Sequence, residues 1–186
     1  MKGFEVIRAT ETYQQAGAYY VRIQAMARKY NIGLREEFDE HDTPSTKYIV
    51  LTDNGFPVAT CRILKRTSET AEIGRVVVLE DYRGKGLGKM VMESAEEWIR
   101  ELGYGTVVVE SRDVAMGFYE KLGYVSDSSA LHNSGTFTCQ HMEKRLVEPL
   151  SDYERYCQQQ LQDFEDEIGD DRCFGDMAEG LFVRGH

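Results

Sequence analysis

Within nine residues, 82-YRGKGLGKM-90, the chain places three glycines (Gly84, Gly86, Gly88) and three cations (Arg83, Lys85, Lys89). Glycine lets a backbone come close to a ligand, and cations beside it make that ligand an anion. The apolar run 76-VVVL-79 precedes the stretch and a helical pattern follows it. A helix start exposes unpaired N–H groups and carries about half a positive charge, so a pyrophosphate fits such a cradle. Two nucleotide loops are excluded by the residues themselves. A GxxxxGK[ST] loop ending at Gly88-Lys89 needs glycine where Arg83 stands and a hydroxyl where Met90 stands. A GxGxxG fingerprint begun at Gly84 or Gly86 meets Lys89 or Val91 at its third glycine. What remains is Arg83-x-x-Gly86-x-Gly88, between a strand and a helix.

The elements that must position this loop read off the apolar periodicity. Residues 4–9 form a first strand. The spacing of Tyr13, Ala16, Tyr20, Ile23, Ala27 and Tyr30 predicts a helix with those residues on its apolar face, Thr10 being a candidate cap. Residues 31–46 are polar and irregular, with room for a short strand. Residues 47–66 read as a hairpin turning at Asp53-Asn54-Gly55. A strand over 71–80 leads into the loop, and a helix over 88–102 leaves it, with Val91, Ala95, Trp98 and Leu102 on one stripe and Gly103 as its stop. Then come a strand over 105–110, a short helix over 114–122 capped by Asp113, and closing strands over 124–131 and 136–146. Helices crossing between strands give an α/β or mixed α+β sheet.

At 186 residues the chain suits one domain with a real core. Pro149 marks its end, giving a domain over 1–148 and an acidic extension over 149–186. Net charge is −10, of which the extension carries −7 through ten acids and three arginines. An acidic chain with no basic face argues against nucleic acid as a partner. No window approaches the ~20 apolar residues of a membrane helix, and residues 1–15 hold no apolar signal segment, so the expected location is the cytoplasm. Cys61, Cys139, Cys157 and Cys173 form no CxxC pair and read as free thiols; His41, His132, His141 and His186 show no metal-ligand spacing. Residues 151–168 are spaced as an amphipathic helix, with cover over the core and a homodimer contact as its two open roles.

With these residues in place, 76-VVVLEDYRGKGLGK-89 resembles the acetyl-CoA-binding signature of the GNAT superfamily of N-acetyltransferases. The stretch 113-DVAMGFYEKLGY-124 resembles the second motif of that superfamily, about thirty residues on. Residues 37–42, 56–63 and 73–78 are similar to its ElaA-like branch. The resemblance covers about residues 4–146 and implies a GNAT fold: a mixed, mostly antiparallel sheet flanked by helices, here with a C-terminal helical extension.

It implies acetyl-CoA as co-substrate, no metal, and an amine acceptor that is a small molecule or a protein or peptide. The backbone of Val76, Val77 and Val78 would meet the pantetheine arm, and Arg83, Gly84, Lys85, Gly86, Leu87, Gly88 and Lys89 would hold the pyrophosphate. Tyr119 matches the tyrosine that protonates the departing thiolate. Asp113 stands where many members have Asn, so it offers a cap but no N–H donor to the cofactor arm. For the general base, Glu72 shares a strand face with Val76 and Val78 by two-residue alternation, and Glu110 is its rival. His141 lies slightly beyond the position where the ElaA-like branch tends to place a histidine. Arg62 faces either a substrate carboxylate or a salt bridge to Asp39 or Glu37, and Arg75 is a second cation inside a strand-like run. The function implied is direct acetyl transfer to a primary amine; the alternative is an acyl-CoA-binding module of the same fold with little turnover.

Overall fold

Seven strands form one sheet in the order β1-β2-β3-β4-β5-β7-β6. The computed structural model describes residues 3–134 and 137–146, with the backbone alone for residues 127–134 and 137. The expected helix over 151–168 and its dimer contact lie outside the described residues. The strands are β1 (Phe4–Ala9), β2 (Lys47–Asp53), β3 (Phe56–Lys65), β4 (Thr70–Val78), β5 (Thr106–Arg112), β6 (Val125–Ser134) and β7 (Phe137–Arg145). All neighbours are antiparallel except β4 and β5. The β2–β3 hairpin turns through Asn54 and Gly55, both at positive φ, as a two-residue loop of right twist requires.

Alternation along β2 splits the core into two layers. Ile49 and Leu51 face helix α4 (Leu87–Glu101), where Val91, Met92, Ala95 and Ile99 meet them. Tyr48 and Val50 face the other way, toward Ala18 of helix α1 (Thr12–Arg22). That helix runs on through a π-helical turn, Ile23–Ala27, into α2 (Arg28–Tyr30), and Asn31 ends it in the left-handed conformation.

The buried face of α1 is not the one its apolar spacing suggests. Of the expected stripe, Ala27 is buried and Ile23 half-buried, but Tyr13, Ala16, Tyr20 and Tyr30 are exposed, while Gln15, Ala18, Val21, Arg22 and Ala25 are buried. Gln15 and Arg22 win those positions because each is satisfied there. The Gln15 amide donates to the carbonyls of Pro44 (2.8 Å) and Thr46 (3.1 Å), and Arg22 is ion-paired. Both tie down residues 31–46, which form the short helix α3 (Leu34–Glu37) and turns, with no strand. Asp113 is likewise not the cap of the short helix α5 (Met116–Lys121). It opens a one-turn 3-10 helix, Asp113–Ala115, and Ala115 stands at the cap of α5.

One irregularity shapes everything that follows. Thr60 pairs with Val77 and Arg62 with Gly74, so Arg75 and Val76 both stand opposite Cys61. This is a β-bulge in β4, with Arg75 at φ +53°. The extra residue exchanges the two faces of the strand. Ala71 and Ile73 before it, and Val76 and Val78 after it, all pack toward α4. Glu72, Gly74 and Val77 take the opposite face, beside Leu64, Arg62 and Thr60. Glu72 therefore does not share a face with Val76 and Val78, because strict alternation fails at the bulge.

Candidate active site

The parallel ladder between β4 and β5 lasts for three pairs, Thr70↔Thr106 to Glu72↔Val108. Each strand then continues, and the two part. A cavity of about 920 Å3 opens in this fork, bordered on one side by Val76, Val77 and Val78 and on the other by Glu110 and Arg112. It reaches Arg83 and Gly88 at one end and α3 with Asp39, Arg62 and Glu72 at the other.

The end at Arg83 is built from backbone. Gly84 (φ +75°) and Gly86 (φ +79°) adopt a left-handed conformation that an L side chain resists, and a Cβ at either would meet open space. Gly86 caps α4 with no side-chain hydrogen bond. The N–H groups from Gly84 to Lys89 have no acceptor among the described residues. Six donors at a helix start suit the oxygens of a pyrophosphate. Gly88 is glycine for a different reason: a Cβ there would stand 3.3 Å from the Phe118 ring, so its absence lets α5 pack against α4. Of the cations, Arg83 lines the cavity and donates to the Val78 carbonyl (3.2 Å), Lys85 lies 4.7 Å over the Tyr82 ring, and Lys89 pairs with Glu93. Leu87 points into the core. Asp113 is exposed and is not among the residues lining the cavity.

Tyr119 projects from α5 into the middle of the fork. Its ring meets Phe118 (5.0 Å) and Tyr124 (5.8 Å) edge-on, and its hydroxyl has no hydrogen-bond partner among the described residues. Burial pushes its phenol well above the ordinary tyrosine range, so it keeps its proton at every working pH. Cys139 also lines the cavity; burial first, then the charge of Glu110, raises its thiol. Burial pushes Cys61 up to about 12. Neither thiol carries the thiolate character of a nucleophile.

The far end is built from side-chain charge. Arg22, fully buried, donates to Glu37 (2.8 Å) and Asp42, and its guanidinium lies 4.4 Å over the Phe38 ring. Tyr48 also donates to Asp42. Arg62 holds Asp39 through both terminal nitrogens (2.7 and 3.0 Å) and reaches Asp42 at 3.0 Å. Burial works to raise the Asp39 carboxyl, but the hydrogen bonds and charge of Arg62 outweigh it and hold Asp39 at about 2. Arg75 touches Asp39 at 3.2 Å. Glu72 is ion-paired to Arg66, and Glu110 receives His141 Nδ1 at 2.8 Å from its partner position on β7.

The sequence thus brought Val76–Val78, Arg83, Gly88, Glu72, Glu110, Arg62, Arg75 and Tyr119 to one cavity. It missed Arg22, Asp42 and Tyr48. The signal available was a charged residue on an otherwise apolar stretch of helix, followed by the acid-rich 36-EEFDEHD-42.

A forked sheet, an uncapped glycine-led helix and a buried tyrosine between them are matched by one family. The chain belongs to the acetyltransferase (GNAT) family, whose model matches residues 9–124. An uncharacterised acetyltransferase of Streptococcus pyogenes is 35% identical over 114 residues, 61% of this chain and 77% of the relative. A candidate N-acetyltransferase from Lactobacillus plantarum, known from its crystal structure, has a TM-score of 0.74 at 27% identity, over 78% of this chain and 99% of its own. Escherichia coli ElaA shares the fold, with a TM-score of 0.65 at 20% identity over 78% of this chain and 100% of its own. No helix among the described residues is long and apolar enough to cross a membrane.

Proposed function

We propose that the protein transfers the acetyl group of acetyl-CoA directly to a primary amine, both bound at once. The observation that carries this reading is the position of Tyr119: protonated, without a partner among the described residues, and set in the fork between a backbone anion cradle and a charged pocket. Acetyl-CoA supplies the thioester. Arg83, Lys85, Lys89 and the N–H groups from Gly84 to Lys89 bind its pyrophosphate, and the unpaired edge of Val76–Val78 orients its arm. Tyr119 holds the proton that meets the leaving sulfur, which departs more easily when so met. An amine of pKa near ~10 must lose a proton before it attacks. Glu72 and Glu110 both line the cavity and can take it, directly or through water.

A screen for CoA release with a panel of amines tests the reading. Release stimulated by at least one amine is expected; tight acetyl-CoA binding with no stimulation by any amine overturns it. Tyr119→Phe should lower kcat by about 10²–10⁴-fold while acetyl-CoA affinity stays within about twofold. An equal loss in both would remove the assigned role. In Glu110→Gln and Glu72→Gln, the variant that abolishes the acid limb of the kcat/KM profile identifies the base.

A further inference from the structure

Resting on that reading, we infer that the amine acceptor carries a carboxylate, and that Arg75 is the residue that anchors it. Four arginines reach the cavity from the face of the sheet opposite α4. Three are spent. The terminal nitrogens of Arg62 are used on Asp39 and Asp42, Arg66 is held by Glu72, and Arg112 is hydrogen-bonded to Tyr30 with its guanidinium 5.5 Å over that ring. Arg75 differs. Its one contact among the described residues runs from Nη2 to Asp39 Oδ2 at 3.2 Å, an oxygen that already accepts from Arg62 at 3.0 Å. Its Nε and Nη1 have no partner among those residues, and its side chain is 32% exposed at the cavity wall. With one Nη2 hydrogen on Asp39, the second Nη2 hydrogen still forms a two-donor edge of the planar guanidinium with its neighbouring nitrogen, and that edge matches the two oxygens of a carboxylate.

The backbone points the same way. Arg75 holds φ +53° at the bulge, a conformation that suits glycine, while its neighbour Gly74 sits outside that region. A long cation in the strained position is explained if its side chain has a task in the cavity, and the bulge is what turns it there. The ion pairs around Arg75 agree with that class of acceptor. In the wall behind Arg75, Glu37, Asp39 and Asp42 balance Arg22, Arg62 and Arg75. A molecule with one ammonium and one carboxylate leaves that balance intact, with its amine free to face Glu72 or Glu110. A polyamine adds two or more positive charges with no carboxylate for Arg75. The acceptor is therefore of the amino-acid type.

The test pairs each acceptor with its decarboxylated counterpart: leucine with 3-methylbutylamine, lysine with 1,5-diaminopentane. CoA release should favour the carboxylate-bearing member by about ten- to a hundredfold in kcat/KM, the range of a hydrogen bond to a charged group. Arg75→Ala and Arg75→Gly should erase the preference, lowering kcat/KM for the carboxylate-bearing member by about ten- to a hundredfold more than for its decarboxylated counterpart; Arg75→Gly suits the local φ and so keeps the fold. Arg75→Lys should restore part of it. Equal rates for both members, or an equal loss for both in the variants, overturn the inference. Binding of N-acetyl-leucine against N-acetyl-3-methylbutylamine to the CoA-saturated protein, followed by NMR, reads the anchor without turnover. An Arg75-dependent preference there with no CoA release from any amine keeps the anchor and overturns the transfer reading. No preference there overturns the anchor even where acetyl transfer proceeds.

Discussion

The two ends of the cavity are made of different materials. At the Arg83 end, the chain offers N–H groups, a parted strand edge and two left-handed glycines, and side chains contribute little beyond charge. At the Asp39 end, the wall is a set of ion pairs drawn from α1, the α3 segment, β3 and β4, joined by a hydrogen bond from Tyr48 on β2. Backbone geometry recognises something invariant, such as a pyrophosphate. A lattice of paired side chains can be retuned by single substitutions, which is what an acceptor site needs when fold and co-substrate stay fixed.

The comparison can be broken most severely at Arg22. Arg22→Ala leaves Glu37 buried without its cation and Asp42 with Arg62 alone, and a loss of about 3–5 kcal/mol in unfolding free energy is expected; urea titration measures it. A loss below about 1 kcal/mol would mean the wall is not held by this pair. Gly86→Ala acts at the other end. The left-handed backbone costs an L residue about 1–2 kcal/mol, and because a Cβ there meets open space, the damage is to loop geometry alone. Acetyl-CoA affinity should fall while discrimination between amines is kept; calorimetry and the amine panel separate the two.

A pH titration sharpens the contrast. Asp39 sits at about 2 in the folded protein, below its unfolded value of about 3.9. The unfolded chain therefore binds more protons in this window, and stability falls as pH drops. The contribution of Asp39 is fully present above pH about 4 and is lost as pH falls through about 2. Asp39→Asn should flatten that acid limb in thermal melts, and an unchanged limb would remove Asp39 from the account. The mildest change is Val77→Ile. If only backbone at this position meets the co-substrate, the swap should cost less than about 1.5 kcal/mol and leave acetyl-CoA affinity intact; a large loss of affinity would show that the side chain matters.

The difference between the two ends is also the difference between what was legible and what was not. The loop was legible because its requirement is local: glycines at fixed offsets between a strand and a helix, with Tyr119 about thirty residues on. Of the wall, the pairing of Arg62 with Asp39 was legible as one of two readings; the rest was not, because its partners lie up to 36 residues apart, as with Arg75 and Asp39, and no periodicity links them. The tyrosines of α1 misled for the same reason. Tyr13 and Tyr20 match a helical stripe, yet Gln15 and Arg22 take the buried side once acceptors across the fold satisfy them.

By itself the sequence determined the mixed sheet, the hairpin at Asn54-Gly55, the glycine-led helix start and the family to which the chain belongs. These are set by residue types acting over a few positions, through backbone sterics and apolar periodicity. Only the tertiary structure decided which face of β4 Glu72 shares, since a single extra residue at Arg75 reverses every side chain beyond it. It also decided which arginines are spent and which is open, because ion pairing depends on distances that folding alone sets.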